Sequence, residues 1–206
     1  YRLPFDGEWV TTAGGPIETN YHATNPFYRW GYDFTKVEDG KRFAGDGSEL
    51  EDYYCYGEPV LAPVTGEVLV VRNERKDSPP REFDPNSILG NFVVIEAEPN
   101  EYVFIAHMKK GSITVEEVSK VEKGHKIGEC GNSGRAVEPH VHVHLQNRLT
   151  FPSELSEDFA AAESLPLRFS NYLADGEPVD VGMPRGGPSD EQPLGQRVEP
   201  VESGAE

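Results

Sequence analysis

Residues Glu138–Leu145 read EPHVHVHL, and three of the chain's six histidines stand there, at positions 140, 142 and 144. The β-branched valines between them favour extended backbone. Alternate side chains of a strand share a face, so all three imidazoles are expected to point the same way. Three aligned imidazoles are hard to explain as packing.

Working outward, the same short-strand texture fills most of the chain. NFVVIEAE (91–98) and YVFIAHM (102–108), separated by a proline-bearing turn, read as an antiparallel hairpin. EPVLAPVTGEVLVVRN (58–73) reads as two strands around a turn near Thr65-Gly66, and WGYDFTKV (30–37) as another strand. From 111 to 134 the apolar runs are short and broken by glycines, which suits tight β-structure with little helix. A short helical turn is expected in SEDFAAAES (156–164), then a strand at LPLRFSNY (165–172). Residues 1–30 are loop-rich, and 39–52 and 74–87 are polar loops.

The hydrophobic fraction is 36%, with 21 Gly and 17 Pro, a low-apolar, turn-rich composition that favours many short strands. The expected fold is therefore all-β and mainly antiparallel, a sandwich or half-barrel forming one domain over residues 1–173. Beyond Ala174 the chain is rich in Pro, Gly and acids and poor in aromatics, so residues 174–206 read as a tail.

The net charge is −17, which disfavours a phosphate backbone or an anionic membrane surface as partner. No apolar run is long enough to span a membrane. The first residues, YRLPFDGEWV, lack the basic and apolar regions of a signal peptide. The two cysteines, Cys55 and Cys130, form no CxxC pair, and one disulfide or two buried thiols are both compatible with the sequence.

Imidazole nitrogen suits first-row metals, and a catalytic zinc keeps three protein ligands with a fourth position open. His-x-His on a strand offers two imidazoles on one face at roughly 6.6–7 Å between Cα atoms. A cupin would want a glutamate soon after that pair, and here the first acid is Glu154. The chain is short for a carbonic-anhydrase-like three-histidine site.

GEPVLAPVTGEV, GNFVVIEAE, YVFIAHMKKG and VEKGHKIGECGNSGRAVEPHVHVHL occur in that order. The series resembles the lysostaphin-like, or LytM-type, zinc endopeptidases, over about residues 20–147. The resemblance implies the lysostaphin-like β fold, bound Zn2+ and cleavage of peptides in bacterial peptidoglycan, with extracytoplasmic action. It implies catalytic roles for His140 and His107, and ligand roles for His142 and for Asp33 within WGYDF.

The family's remaining ligand is a histidine, and the matching position is Arg29. A guanidinium has no lone pair to offer a metal. Two histidines can substitute. His22 lies eleven residues before Asp33, in an N-x-H segment similar to one branch of the family. His144 shares a strand face with His142, but farther along the strand. The reading favours His22, Asp33 and His142 as ligands, with His144 as a positioning group or alternative ligand. Arg29 is then expected near the site, pairing with an acidic group or a substrate carboxylate. Tyr28, Tyr32 and DYYCY (52–56) are candidate groove residues, with the loops 36–56 and 72–90 as walls. Asn132 and Ser133 are expected to shape the turn before the histidine strand, and His125 to be exposed. The rival reading, carried by Arg29, is an inactive relative that binds or regulates at the cell wall.

Overall fold

The computed structural model describes residues 1–17, 20–151, 162–187 and 195–201. The helical turn expected around 156–164 lies mostly outside them. Strands come in chain order as β1 Trp9–Ala13, β2 Tyr32–Thr35, β3 Pro59–Leu61, β4 Gly66–Arg72, β5 Asn91–Glu98 and β6 Glu101–Met108. They continue as β7 Lys120–Val121, β8 Lys126–Glu129, β9 Val141–Gln146, β10 Ser164–Leu165, β11 Phe169–Ala174, β12 Glu177–Gly182 and β13 Arg197–Pro200. Among the described residues helix is confined to two short 3-10 turns, Tyr21–Thr24 and Leu50–Asp52. The chain is thus all-β, as its composition and glycine spacing lead one to expect.

One large antiparallel sheet runs β12-β11-β13-β1-β2-β9-β6-β5-β4-β7, with β10 also on β9, and β3 pairs β8 in a small second sheet. The histidine strand is central, between β2 and β6. Strand alternation divides its residues. Val141, Val143 and Leu145 enter the main core with Tyr32 and Phe34 of β2 and Val103 and Ile105 of β6. Asp33, His142 and His144 are left for the opposite face. A smaller apolar cluster lies on that side, built on Val94, Phe92, Phe104, Ala106, Val70 and Leu89.

The main core is heavily aromatic near β2. Phe34 is fully buried and meets Phe5, Tyr32 and Phe169 at centroid distances of 5.1, 5.7 and 5.7 Å. Phe34→Ala removes a ring that its neighbours cannot refill, and should cost about 3–5 kcal/mol. Denaturant unfolding of wild type and variant checks this; a loss below about 1 kcal/mol would mean that the site collapses around the cavity.

The segment read as a tail departs from expectation. β12 and β13 lie within residues 174–206 and join the large sheet through β11 and β1. Val198 of β13 is buried in the main core, whereas β12 has no buried residue. An edge strand held by backbone hydrogen bonds can be polar along its whole length, so composition hides it.

Candidate metal centre

Asp33 and His142 are directly opposed across β2 and β9, on the face away from the main core. His142 Nδ1 lies 2.7 Å from Asp33 Oδ1. On the other flank Ala106 is opposite His142, and this small side chain leaves room above it. Phe104 is opposite His144 and stacks on its ring at 4.6 Å.

His22 comes from outside the sheet, on the 3-10 turn Tyr21–Thr24. Asn20 places it. The Asn20 side-chain oxygen accepts from His22 N at 2.9 Å, and its amide donates to Arg29 O at 3.1 Å and Gly31 O at 3.2 Å. One side chain thereby ties both ends of the 20–31 loop and swings His22 over β2. His22 Nε2 then lies 3.0 Å from Asp33 Oδ2. Its Nδ1 is buried with no partner among the described residues. Gly31 completes the fit, since a Cβ there would stand 2.8 Å from Tyr28 O and 3.0 Å from the His142 ring.

His22, Asp33 and His142 each offer a ligand atom, all within 4.8 Å of one another. Zinc bonds of about 2.0–2.1 Å in a tetrahedral site put ligand atoms about 3.3 Å apart, so small adjustments suffice. Burial alone would raise the Asp33 carboxyl, but the imidazoles of His22 and His140 and the hydrogen bonds from His142 and His22 hold it well below the usual carboxylate range. Burial lowers His142 below the ordinary imidazole range. It lowers His107 and His144 much further, with neighbouring imidazoles adding to the effect. An ionised Asp33 facing an imidazole at His142 that burial disposes to stay neutral suits metal binding.

His144 does not reach the carboxylate. Its Nδ1 lies 2.9 Å from His142 Nε2, and its Nε2 lies 2.9 Å from Gln146 Nε2. In this arrangement the donors run from Gln146 through His144 and His142 to Asp33. A half-turn of the Gln146 amide reverses the chain, bringing its Oε1, buried and without a partner among the described residues, onto His144 Nε2. Reversal leaves His142 Nδ1 with its lone pair toward Asp33, the form a metal ligand needs. The three residues Gln146, His144 and His142 share one face, so this relay is a product of strand period. His144→Ala should weaken metal affinity about 10- to 100-fold while leaving a measurable site. Competition titration against a chromogenic chelator checks it; affinity within twofold of wild type would remove His144 from any orienting role.

His107 and His140 form a second pair beside this cluster, with ring centroids 4.7 Å apart. The His140 Nδ1–H donates to Glu138 O at 2.8 Å and the His107 Nδ1–H to Ser133 O at 2.9 Å. Both rings are thus held as one tautomer, with the Nε2 lone pair free. His140 Nε2 stands 3.7 Å from Asp33 Oδ1. His107 sits where Ala106 and His107 together oppose the single residue Phe92, a bulge in the β5–β6 ladder. Its φ of +62° is left-handed, a conformation that costs a non-glycine residue about 1–3 kcal/mol. The bulge turns an imidazole toward the site from a strand whose period alone would not do so. Ser133 supports it from below, donating its hydroxyl to Met108 O at 2.7 Å and accepting from Asn91 N at 2.9 Å. Asn132 ties the same turn to Ser78 O.

His22, Asp33, His107, His140 and His142 line a cavity of about 510 Å3. Arg42 comes from the 36–56 loop, Phe83, Ile88 and Leu89 from or beside the 72–90 loop, and Tyr21 and Tyr28 from the loop that carries His22. Tyr28 packs edge-on to His22 at 5.2 Å. Tyr32, by contrast, is a core residue whose hydroxyl donates to Leu167 O. In DYYCY, Tyr53 packs on Phe43 and Tyr56 lies under Lys109, and none of the five residues lines the cavity. Arg29 is exposed and does not line it either; its carbonyl is what the loop uses. Arg135 and Arg42 line it instead. No motif in the sequence pointed to them, because loop arginines carry no period. His125 is exposed at a turn. Cys55 and Cys130 are both buried free thiols, and Cys55 Sγ donates to Pro139 O at 3.0 Å, directly behind His140.

The model of peptidase family M23 matches residues 51–152, a span that holds His107, His140 and His142 and begins after His22 and Asp33. Among curated proteins, the peptidoglycan DD-endopeptidase ShyA of Vibrio cholerae is 28% identical over 130 residues, covering 63% of this chain and 27% of that protein. The chain therefore spans about a quarter of that relative's length. Among solved structures, a zinc-containing peptidase from Vibrio cholerae aligns with 76% of this chain and 40% of its own at 23% identity and a TM-score of 0.48. The catalytic domain of the antimicrobial peptidase lysostaphin from Staphylococcus simulans aligns with 70% of this chain and 84% of its own at 18% identity and a TM-score of 0.41.

Proposed function

Residues 51–152 belong to peptidase family M23, and from that premise we propose that the protein is a zinc-dependent endopeptidase that hydrolyses peptide bonds in bacterial peptidoglycan. The observation that carries this reading is the convergence of His22, Asp33 and His142 within 4.8 Å, beside the fixed imidazole pair His107 and His140. The curated relative's activity on peptidoglycan supports the substrate class. Action outside the cytoplasm follows from that substrate.

In this reading His22, Asp33 and His142 hold the zinc, and His144 orients His142 through the Gln146 relay. Bound zinc would polarise a carbonyl and make water more acidic. The Nε2 of His140 accepts a proton from the attacking water, because its Nδ1–H is committed to Glu138 O. His107, kept neutral by burial, is the second Nε2 in reach. Once protonated, either imidazole can donate to the developing oxyanion. Tyr28 and the loops around the cavity exclude water from the rings and position the peptide.

The rival reading, a binding or regulatory module without activity, drew its support from Arg29. The delivery of His22 by Asn20 offers a third donor in place of Arg29 and so favours the peptidase reading. Digestion of purified peptidoglycan, followed by chromatography of the released muropeptides, tests the proposal. Cleavage should yield new amino termini, stop on chelation and return with added zinc. Zinc-loaded protein that is inert on walls of several cross-link types would overturn it.

A further inference from the structure

The chain carries a net charge of −17, yet two arginines, Arg42 and Arg135, stand in the wall of the metal cavity. They differ in how their charge is met. Arg42 Nη1 is paired with Glu138 Oε2 at 2.8 Å, and both residues line the cavity. Arg135 makes no ion pair among the described residues. Its guanidinium lies over the ring of Phe83, 5.7 Å from the centroid, and Phe83 also lines the cavity. Its backbone N–H donates to Ile88 O at 3.2 Å, which ties the base of the side chain to another lining residue.

An arginine held over an aromatic ring keeps its planar N–H edge available. That edge matches a carboxylate in a two-bond fork. The ring also removes part of the side-chain entropy that binding would otherwise cost. An acidic protein repels anionic peptides at long range, so a cation without a carboxylate partner beside the reacting groups has a selective effect there. We propose that Arg135 is a specificity residue, which binds a carboxylate of the peptide substrate close to the scissile bond. The preferred substrate class is then a cross-linked peptide with a free carboxylate at that place, in preference to its amidated counterpart.

The inference rests on the peptidase reading above. Its test uses two cross-linked muropeptide dimers, identical except that the carboxylates flanking the cross-link are free in one and amidated in the other. Values of kcat/KM are measured for zinc-loaded wild type and Arg135→Ala. Wild type should prefer the free form by about 10- to 100-fold, the range of hydrogen bonding to a charged group. In Arg135→Ala the ratio should fall close to one, chiefly through KM. Equal cleavage of both dimers by wild type, or an unchanged ratio in Arg135→Ala, overturns the assignment and leaves the peptidase reading intact. Failure of wild type to cleave either dimer overturns that reading, and this one with it.

Discussion

His22→Ala protein, prepared without chelator, is expected to lose its zinc. Elemental analysis should find about one zinc per wild-type chain, because a catalytic site of this donor set holds a single ion. Removing a ligand should weaken binding by more than the roughly 10- to 100-fold typical of orienting partners. The variant should stay folded, since His22 sits on a loop outside the sheet and belongs to neither apolar cluster. Circular dichroism and the unfolding midpoint verify that. His144→Ala is the companion measurement. It is buried between His142 and Gln146 with both ring nitrogens engaged, so its loss should loosen the metal without emptying the site. Stoichiometric zinc retained in His22→Ala and absent from His144→Ala would transfer the ligand role to the strand.

The second large effect belongs to His140. His140→Ala should lower kcat by roughly 10^2- to 10^4-fold, the usual contribution of one positioned acid–base group, with zinc content unchanged. His140 lines the cavity, is partly exposed and packs its ring on His107, so the loss should not be one of folding. For His107 the informative substitution is asparagine. Alanine would confound lost chemistry with a strained backbone, whereas asparagine tolerates the left-handed conformation at φ +62°. If the two imidazoles act as a unit, the double variant should be little worse than either single one. Activity of His140→Ala within tenfold of wild type would sink its assignment as the group that takes the proton.

Much of the site could be read from local pattern. The histidine strand announced itself by alternation, and the direct opposition of Asp33 and His142 follows once β2 and β9 are neighbours. His107 was legible only through its place in the family pattern, since it points into the site by virtue of a bulge. No two-residue period predicts that. Asn20 was visible as part of the N-x-H segment, but its ties to Arg29 O and Gly31 O, and the place of Arg135 in the cavity wall, depend on long-range geometry that no period records. The strands at 177–182 and 197–200 were hidden for a different reason: their pairing is through backbone, and side-chain composition does not record it.

By itself the sequence determined the β class, the central histidine strand and the chemistry of its donors, because side-chain alternation and residue type are local properties. Only the tertiary structure brought His22 against the Asp33 carboxylate and His144 against His142, and it put Arg135 in place of Arg29 at the cavity wall. Those choices depend on where a loop lands after eleven residues and on which strand lies beside which across more than a hundred. Loop path and strand register are settled by the whole core and by ties such as Asn20, and no single stretch of sequence carries them.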